Sequence, residues 1–178
     1  MLRMIVRYGV IAGLIVGVPM FGLTDFGRSG GLEKYGYLIG YTTMLIALST
    51  IFIAIKKHRD TKLGGVIKFW PALGMGLAIS FIAGIFYVLA WEAVLDVFHF
   101  DFANIYAQSM IDAAKARGLT GDALAKAVAD AAQFKVSYAN PFYRLPMTFI
   151  EIFPMGVLVS LISAALLRNS RFMPARKA

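Results

Sequence analysis

The sequence predicts an all-α protein, a four-helix transmembrane bundle with a helical hairpin inserted between the third and fourth membrane helices. Of its 178 residues, 59% are hydrophobic and only 16% are charged, and the mean hydropathy is +0.70. This composition is too apolar for a soluble domain. Four apolar runs are each long enough to cross the ~30 Å hydrocarbon layer of a bilayer as a helix. Residues 1–178 are therefore expected to form a single polytopic membrane domain.

The first two membrane helices are predicted over residues 4–23 and 35–55. Arg3 and Arg7 flank the start of the first helix, and the polar sequence TDFGRSGGLEK follows it. Its apolar core is longer than that of a signal peptide and lacks a small-x-small cleavage site, so we expect a retained, signal-anchor-like helix. The stretch KKHRDTK after the second helix is predicted to be a basic loop in which His58 is solvated.

The third membrane helix is predicted over residues 70–98 and carries no charge before Glu92. Glu92, Asp96 and His99 then follow at i, i+4 and i+7, so they lie along one face if the helix continues that far. The end of this helix is therefore acidic where it leaves the membrane.

The fourth membrane helix is predicted over residues 146–167. Before it, residues 100–145 are rich in alanine and mixed in charge, which indicates a segment outside the membrane. Helices over residues 102–117 and 121–136, separated by Gly118, make this insert a helical hairpin. The hairpin is either a lid over the bundle or a docking surface for a partner or for lipid headgroups.

Positive charge lies mostly on one side of the four predicted crossings. That side holds eleven of the 18 basic residues and a single acid, Asp60. The eleven are Arg3, Arg7, Lys56, Lys57, Arg59, Lys62, Lys68, Arg168, Arg171, Arg176 and Lys177. The positive-inside rule therefore predicts that both termini are cytoplasmic and that the insert lies outside. In a bacterium this means a multi-pass inner-membrane protein with a periplasmic insert and a basic surface against anionic lipid headgroups.

Small residues recur at every fourth position in all four membrane helices. Because lipid tails give helices no hydrophobic drive to associate, close backbone approach at small residues is a common packing device. We predict that these residues pack the helices within one chain, with contact between copies as the alternative. They are Gly9, Gly13, Gly17, Gly36, Gly40, Gly76, Ser80, Gly84, Gly156, Ser160 and Ala164.

A cluster of polar residues is predicted near the outer membrane boundary. Helical rise from the predicted helix ends places Glu92 about 10 Å and Glu151 about 7 Å inside that boundary. Two carboxylates at one depth need a cation, a proton or water, and Arg144 is the nearest candidate cation. The predicted buried cluster comprises Glu92, Asp96, His99, Arg144 and Glu151.

Three interpretations of this cluster remain open. It is an ion-paired helix junction that includes Tyr143 and Asn140, a proton or cation site, or a pocket for a polar headgroup. A divalent metal site is disfavoured because the spacing of Glu92, Asp96 and His99 lacks a paired histidine and matches no zinc signature.

Several classes of function find no support in the sequence. Without cysteine, the chain has no disulfides, thiolate metal sites or cysteine nucleophiles. We find no phosphate-binding glycine loop, nucleophile elbow or histidine–glutamate metalloprotease motif, so we expect neither an enzyme nor a cofactor. The basic residues behind the net charge of +8 lie at helix ends, which favours membrane orientation over nucleic-acid binding.

The order of motifs along the chain resembles that of a known family. The motifs are YGVIAGLIVG, then GYTTMLIALSTIFIAIKKHRD with a following GG-x-I-x-F, then YVLAWE, then NPFYRLPMTFIEIFPMGVLVSLISAALLR. Over nearly its whole length the chain is similar to the bacterial domain-of-unknown-function 4199 family. The resemblance implies four membrane helices with an insert before the last, marks Arg59, Asp60 and Glu151 as pattern positions, and carries over no catalytic residues.

Two functions of different classes follow from these observations. The first is a non-catalytic accessory or scaffold role, in which the bundle and its outer hairpin engage lipid or another membrane protein. The alternative is a small transporter or proton-coupled carrier that uses Glu92, Asp96 and Glu151. The first is favoured because few acids lie inside the spans, no inverted repeat or pair of broken helices is evident, and four helices enclose little space.

Overall fold

A computed structural model of the protein describes residues 1–30 and 36–175; of residues 23–30, 36 and 37 it describes the backbone alone. This part of the chain contains six helices and no strand, which confirms the predicted all-helical class. The helices are α1 (Leu2–Gly30), α2 (Gly36–Lys62), α3 (Phe69–Val97), α4 (Phe102–Ala116), α5 (Gly121–Ala139) and α6 (Pro141–Leu167). No peptide bond in the described part is cis.

Four of these helices are long and apolar enough to cross a membrane. The candidate spans are Leu2–Gly22 in α1, Leu38–Lys62 in α2, Phe69–Val97 in α3 and Pro141–Leu167 in α6. Large apolar side chains on their outward faces are exposed in the protein alone, including Leu14, Val18, Leu45, Leu89 and Leu158. An apolar outer surface of this kind is what a helix bundle needs when lipid is its solvent.

Three of the four candidate membrane helices are longer than the sequence predicted. Helix α1 continues to Gly30 instead of ending at residue 23, and α2 includes the basic stretch KKHRDTK, which was predicted as a loop. Helix α6 begins at Pro141 rather than at residue 146. The predictions took helix ends from the ends of the apolar runs, whereas polar residues continue each helix beyond them. Helix α6 has a clear start signal. The side chain of Asn140 accepts a hydrogen bond from Phe142 N, and proline suits the first helical position.

Helix α3 packs against α1, α2 and α6. Helices α1 and α3 run parallel where they meet. Gly9, Gly13 and Gly17 follow one another at intervals of one turn along α1, and each contacts a side chain one turn further along α3 than the glycine before it. A Cβ placed on Gly9 lies 2.7 Å from the Cβ of Ile82, and one on Gly17 lies 3.1 Å from the Cβ of Ala90. Between them, a Cβ on Gly13 overlaps the Phe86 side chain. These glycines therefore allow α1 and α3 to approach where a larger residue forces them apart.

The opposite face of α3 meets α6 in an antiparallel contact of small residues. Gly76 lies against Ser160 and Gly156 against Ser80, with a Cβ on either glycine 2.6 Å from the facing serine oxygen. The two serine hydroxyls lie 3.3 Å apart, and each donates to the carbonyl of the glycine four residues before it in its own helix. Gly84 completes the face by making room for the Phe149 ring.

Helix α2 departs from the predicted pattern of small-residue packing. No atom lies within 4 Å of a Cβ placed on Gly40, so the prediction of close packing at that residue is wrong. Gly36 falls outside the residues whose side chains are described. Helix α2 joins the core instead through large aliphatic residues, including the fully buried Leu48, Ile51 and Ile55.

Helices α4 and α5 lie between α3 and α6 in the chain and contact each other. Asp101 caps α4 by accepting a hydrogen bond from Asn104 N, and the Asn104 side chain holds the pKa of this carboxyl below its usual value. Helix α4 ends at Ala116, and Gly118 two residues later has a φ of +76°, a left-handed conformation that favours glycine. A continuous group of rings joins the two helices to the end of α3. The rings are Trp91, Phe100, Phe102, Tyr106, Phe134 and Tyr138.

The close contact of α1 with α3 gives a first prediction. Replacing Gly13 with leucine lowers the free energy of unfolding by about 1–3 kcal/mol or more, because the new side chain overlaps Phe86 and separates the helices. Gly22→Leu is the matched control in the same helix, since a Cβ there meets nothing within 4 Å. Thermal unfolding of both variants in detergent measures the difference. Equal melting temperatures for G13L and G22L would contradict the packing role of Gly13.

Candidate functional site

An ion pair between α3 and α6 forms the centre of the candidate site. Arg144 of α6 donates from Nε to Glu92 Oε1 at 2.7 Å and from Nη2 to Glu92 Oε2 at 2.6 Å. Its remaining terminal nitrogen, Nη1, donates to the carbonyl of Tyr138 at 3.2 Å. The side chains are 17% and 29% exposed, so this fork-shaped pair is largely shielded. Two parallel charge-assisted hydrogen bonds fix both the distance and the angle between the helices at this level.

Helix α5 closes over the Arg144–Glu92 pair. The guanidinium carbon of Arg144 lies 5.7 Å from the centroid of the Tyr138 ring, within the range of a cation–π interaction. The hydroxyl of Tyr138 accepts a hydrogen bond from Nε1 of Trp91 at 2.7 Å. Burial raises the pKa of the Tyr138 hydroxyl, which therefore stays protonated at neutral pH. Helices α3, α5 and α6 thus meet at one polar junction.

The second acid of the candidate site, Glu151, lies deeper and has a different partner. Tyr87 of α3 donates its hydroxyl hydrogen to Glu151 Oε2 at 2.9 Å. Tyr87 is buried, whereas Glu151 is exposed at the surface of the protein alone. Among the described residues, no basic side chain forms an ion pair with Glu151.

The predicted arrangement, with Glu92 and Glu151 at one depth and Arg144 or water between them, is wrong. Glu92 is level with Arg144, and Glu151 is level with Tyr87, five residues further into α3. The error comes from the start of α6. Because α6 begins at Pro141, Glu151 lies ten residues into the helix, about 15 Å along its axis and not ~7 Å.

Asp96 and His99 do not belong to a buried cluster. Both are exposed, and α3 ends at Val97, before His99. His99 has a φ of 47°, so it leaves the helical face on which the i+7 spacing would have placed it. Within the residues that the structure describes, no group of three histidine or acidic side chains is arranged to hold a metal ion.

A second polar centre at the other end of the bundle is formed by Arg59. Its side chain is fully buried, and its Nε donates to Asp60 Oδ1 at 2.7 Å. Its terminal nitrogens donate to three carbonyls that follow or end α6, those of Leu167, Phe172 and Met173. A cation at a helix C-terminus is favourable because the carbonyl oxygens there carry the negative end of the helix dipole.

The neighbours of Arg59 complete this second centre. Lys56 pairs with Asp60 at 2.5 Å, so the carboxylate bridges two cations on α2. His58 is buried, with 8% of its surface exposed, and its Nδ1 has no hydrogen-bond partner within the described residues. The prediction that His58 is solvated is therefore wrong. The basic sequence is a helical turn packed under the C-terminal tail.

Sequence reasoning did not identify the aromatic residues of the site. Tyr87 is the partner of Glu151, Tyr138 contacts Arg144, and Trp91 donates to Tyr138. A hydropathy pattern does not reveal them, because each carries a single polar atom on a large apolar side chain.

One comparison with known proteins gives a match. The model of a family described as Protein of unknown function (DUF4199) matches residues 7–169. No curated protein and no solved structure matches the chain. The matched region includes both acids of the candidate site and Arg59.

The Arg144–Glu92 pair gives a second prediction. Glu92→Gln lowers the free energy of unfolding by about 2 kcal/mol, because it leaves a shielded guanidinium without a counter-charge. The charge-swapped double variant Glu92→Arg with Arg144→Glu recovers part of the loss, and a double-mutant cycle in detergent measures the coupling. Asp96→Gln is the control, since Asp96 is exposed on the same helix. If E92Q and D96Q unfolded alike, the pair would not hold the junction.

Proposed function

The chain belongs to the DUF4199 family, as its sequence motifs indicated, and from the geometry above we propose that it is a non-catalytic accessory or scaffold protein of the bacterial inner membrane. In this proposal the four spans form a fixed base, and α4 and α5 form a hairpin outside the membrane that binds another membrane protein. The observation that carries the proposal is the polar junction of Arg144, Glu92 and Tyr138, which fastens the hairpin to two spans at once.

The state of the charged groups supports a fixed base over a moving carrier. Arg144 and Glu92 satisfy each other, and the Tyr138 carbonyl takes a further guanidinium hydrogen. A carrier needs groups that release their partners when the substrate binds, whereas both oxygens of Glu92 are held by Arg144. The contacts at the glycine faces of α3 likewise favour one tightly packed arrangement of the spans.

The surface of the hairpin supports a protein partner. A groove of about 710 Å³ runs between α4 and α5 and is lined by apolar residues and by polar residues of both charge signs. Protein interfaces combine apolar and polar surface, and a groove between two helices suits a third, amphipathic helix. The apolar lining includes Ile105, Ala107, Val128, Ala131 and Ala132, and the polar lining includes Asn104, Gln108, Asp112 and Lys135.

A lipid headgroup is a weaker candidate for this groove. Anionic headgroups call for a cluster of basic side chains. The groove is lined by one basic side chain, Lys135, and one acidic side chain, Asp112. Two of its apolar residues, Ile105 and Val128, are 55% and 44% exposed and are available to an apolar partner surface.

The carrier function keeps one supporting observation, the position of Glu151 inside a span with Tyr87 as its hydrogen-bond partner. Asp96 is exposed at the end of α3 and Glu92 is paired. A carrier would therefore depend on Glu151 alone among the three acids considered for that function.

The charge distribution predicts the topology on which the proposal depends. Alkaline phosphatase fused after Gly118, between α4 and α5, is active, and the same enzyme fused after Ala175 is inactive, because the basic ends of the spans stay in the cytoplasm. Activity is normalised to the amount of fusion protein in the membrane. The reverse pattern would place the hairpin in the cytoplasm and remove it from periplasmic partners.

Photo-crosslinking in cells tests the docking role itself. A photoreactive amino acid at Ile105 or at Val128 is expected to crosslink the same membrane protein, and Asp130 on another face of α5 serves as the control. The added variant Val128→Asp should remove the crosslink from Ile105 without changing the melting temperature, since position 128 is exposed. Equal crosslinking from all three positions, or products with lipid alone, would contradict a protein-docking groove.

A further inference from the structure

Glu151 lies close to the middle of a membrane-spanning helix. Helix α6 runs from Pro141 to Leu167, so its central residue is Pro154, three residues or about 5 Å from Glu151. Its partner Tyr87 is a similar distance from the middle of α3, on the same side. The hydrogen bond between them therefore lies within the ~30 Å of hydrocarbon rather than at the boundary.

The side chain of Glu151 belongs to the lipid-facing stripe of α6. Four residues on the same side of α6, at one, three, four and seven positions from Glu151, are exposed in the protein alone. They are Met147, Ile150, Pro154 and Leu158. Glu151 is thus a carboxyl group in an otherwise apolar surface.

No positive charge within the described residues stabilises an ionised Glu151. Its one hydrogen-bond partner is the Tyr87 hydroxyl. Around this pair lie Tyr41 of α2 and Tyr138 of α5, which are phenols and carry no positive charge. Arg144, two turns away on α6, is held by Glu92. A carboxylate in hydrocarbon with a single hydrogen bond is costly, and binding a proton removes that cost.

A small cavity lies beside Tyr87. It has a volume of about 50 Å³ and lies between α1, α2 and α3, where Tyr87 and Thr43 line its wall. This is enough space for one water molecule, which takes up about 30 Å³ in the liquid. A water molecule held there would lie next to Tyr87, whose hydroxyl donates to Glu151.

We propose that Glu151 and Tyr87 form a proton-binding site of the membrane bundle, in which Glu151 is a neutral carboxylic acid at neutral pH. Exchange takes place through Tyr87. A hydronium ion that reaches Tyr87 gives a proton to the hydroxyl oxygen and leaves as water, while the original hydroxyl proton passes to the Glu151 carboxylate; the reverse transfer to water releases the proton. The site does not depend on the docking role proposed above, because proton binding needs no partner protein.

Carbodiimide labelling distinguishes this site from an ordinary carboxylate. Dicyclohexylcarbodiimide partitions into lipid and reacts with the neutral acid. The acid proton moves to a carbodiimide nitrogen and the carboxyl oxygen bonds to the central carbon, after which the acyl group shifts to nitrogen and leaves a stable N-acylurea. No atom is lost and no oxidant is needed, so mass spectrometry detects the gain of one whole reagent molecule on Glu151.

The experiment uses the full chain in liposomes, labelled across a range of pH. We expect the hydrophobic reagent to modify Glu151 and not the ion-paired Glu92, and labelling of Glu151 to persist at neutral pH. A water-soluble carbodiimide with an added amine should join the amine to the exposed Asp112 through an amide bond, with release of the reagent as its urea, and should spare Glu151. Glu151→Gln removes the modification, and elution on size exclusion shows that the variant is folded.

Tyr87→Phe tests the second member of the site. Loss of the hydroxyl removes the one group that stabilises the ionised form, so labelling of Glu151 should persist to a higher pH in Y87F than in the unmodified protein. An identical pH profile would overturn the role of Tyr87. Failure of the hydrophobic reagent to label Glu151, or equal labelling of Glu151 and Asp112 by the water-soluble reagent, would overturn the proton site as a whole.

Discussion

The close approach of α3 to its two neighbours is the constraint on which the remaining structure depends. On one face the glycines of α1 accept Ile82, Phe86 and Ala90, and on the other the paired Gly76 and Gly156 accept serines. Each of these contacts forms at only one alignment of the two helices along their axes. Together they fix the register of α6 against α3. That register brings Arg144 level with Glu92 and Glu151 level with Tyr87 two turns deeper. The polar groups are therefore placed by packing between small residues elsewhere on the same helix.

The two acids of the candidate site differ in state because they differ in partners and in depth. Glu92 lies near the end of α3, where a guanidinium meets both of its oxygens and α5 covers the pair. Glu151 lies near the middle of α6 with one phenol and a lipid-facing surface. An ion pair holds helices together, whereas a carboxylate in hydrocarbon without a positive partner gains by binding a proton. A scaffold role and a proton site can thus coexist in one bundle.

The opposite end of the bundle is held by a different interaction. Arg59 lies in the last turns of α2 and donates to carbonyls at and beyond the C-terminus of α6. A buried guanidinium is tolerated there because Asp60 and the helix dipole both supply negative charge. The rings of Phe52 and Phe172 meet edge to face, 6.4 Å apart, so the tail is packed as well as hydrogen-bonded. Polar interactions therefore join the helices at both ends of the bundle, and small residues join them between.

Composition and periodicity were sufficient to determine the class of this protein. The apolar runs predicted four candidate spans, the alanine-rich segment predicted two further helices, and the spacing of small residues identified the faces along which α1, α3 and α6 meet. These features are local, since each depends on residues within a few turns of one helix. The motifs along the chain likewise indicated the family.

The partners of the polar residues were decided by the tertiary structure. The sequence predicted Arg144 as the cation of the site but placed it next to both Glu92 and Glu151. The reason is that an error of five residues in the predicted start of α6 shifts Glu151 by about 7 Å along the helix axis. The sequence predicted that Arg59 and His58 lie in a solvated loop. A basic stretch has the same sequence pattern whether or not the C-terminal tail covers it in the folded protein. The physical reason is the same in both cases. Hydropathy reports how much a segment avoids water, whereas the partner of a charge depends on the register between helices far apart in the chain.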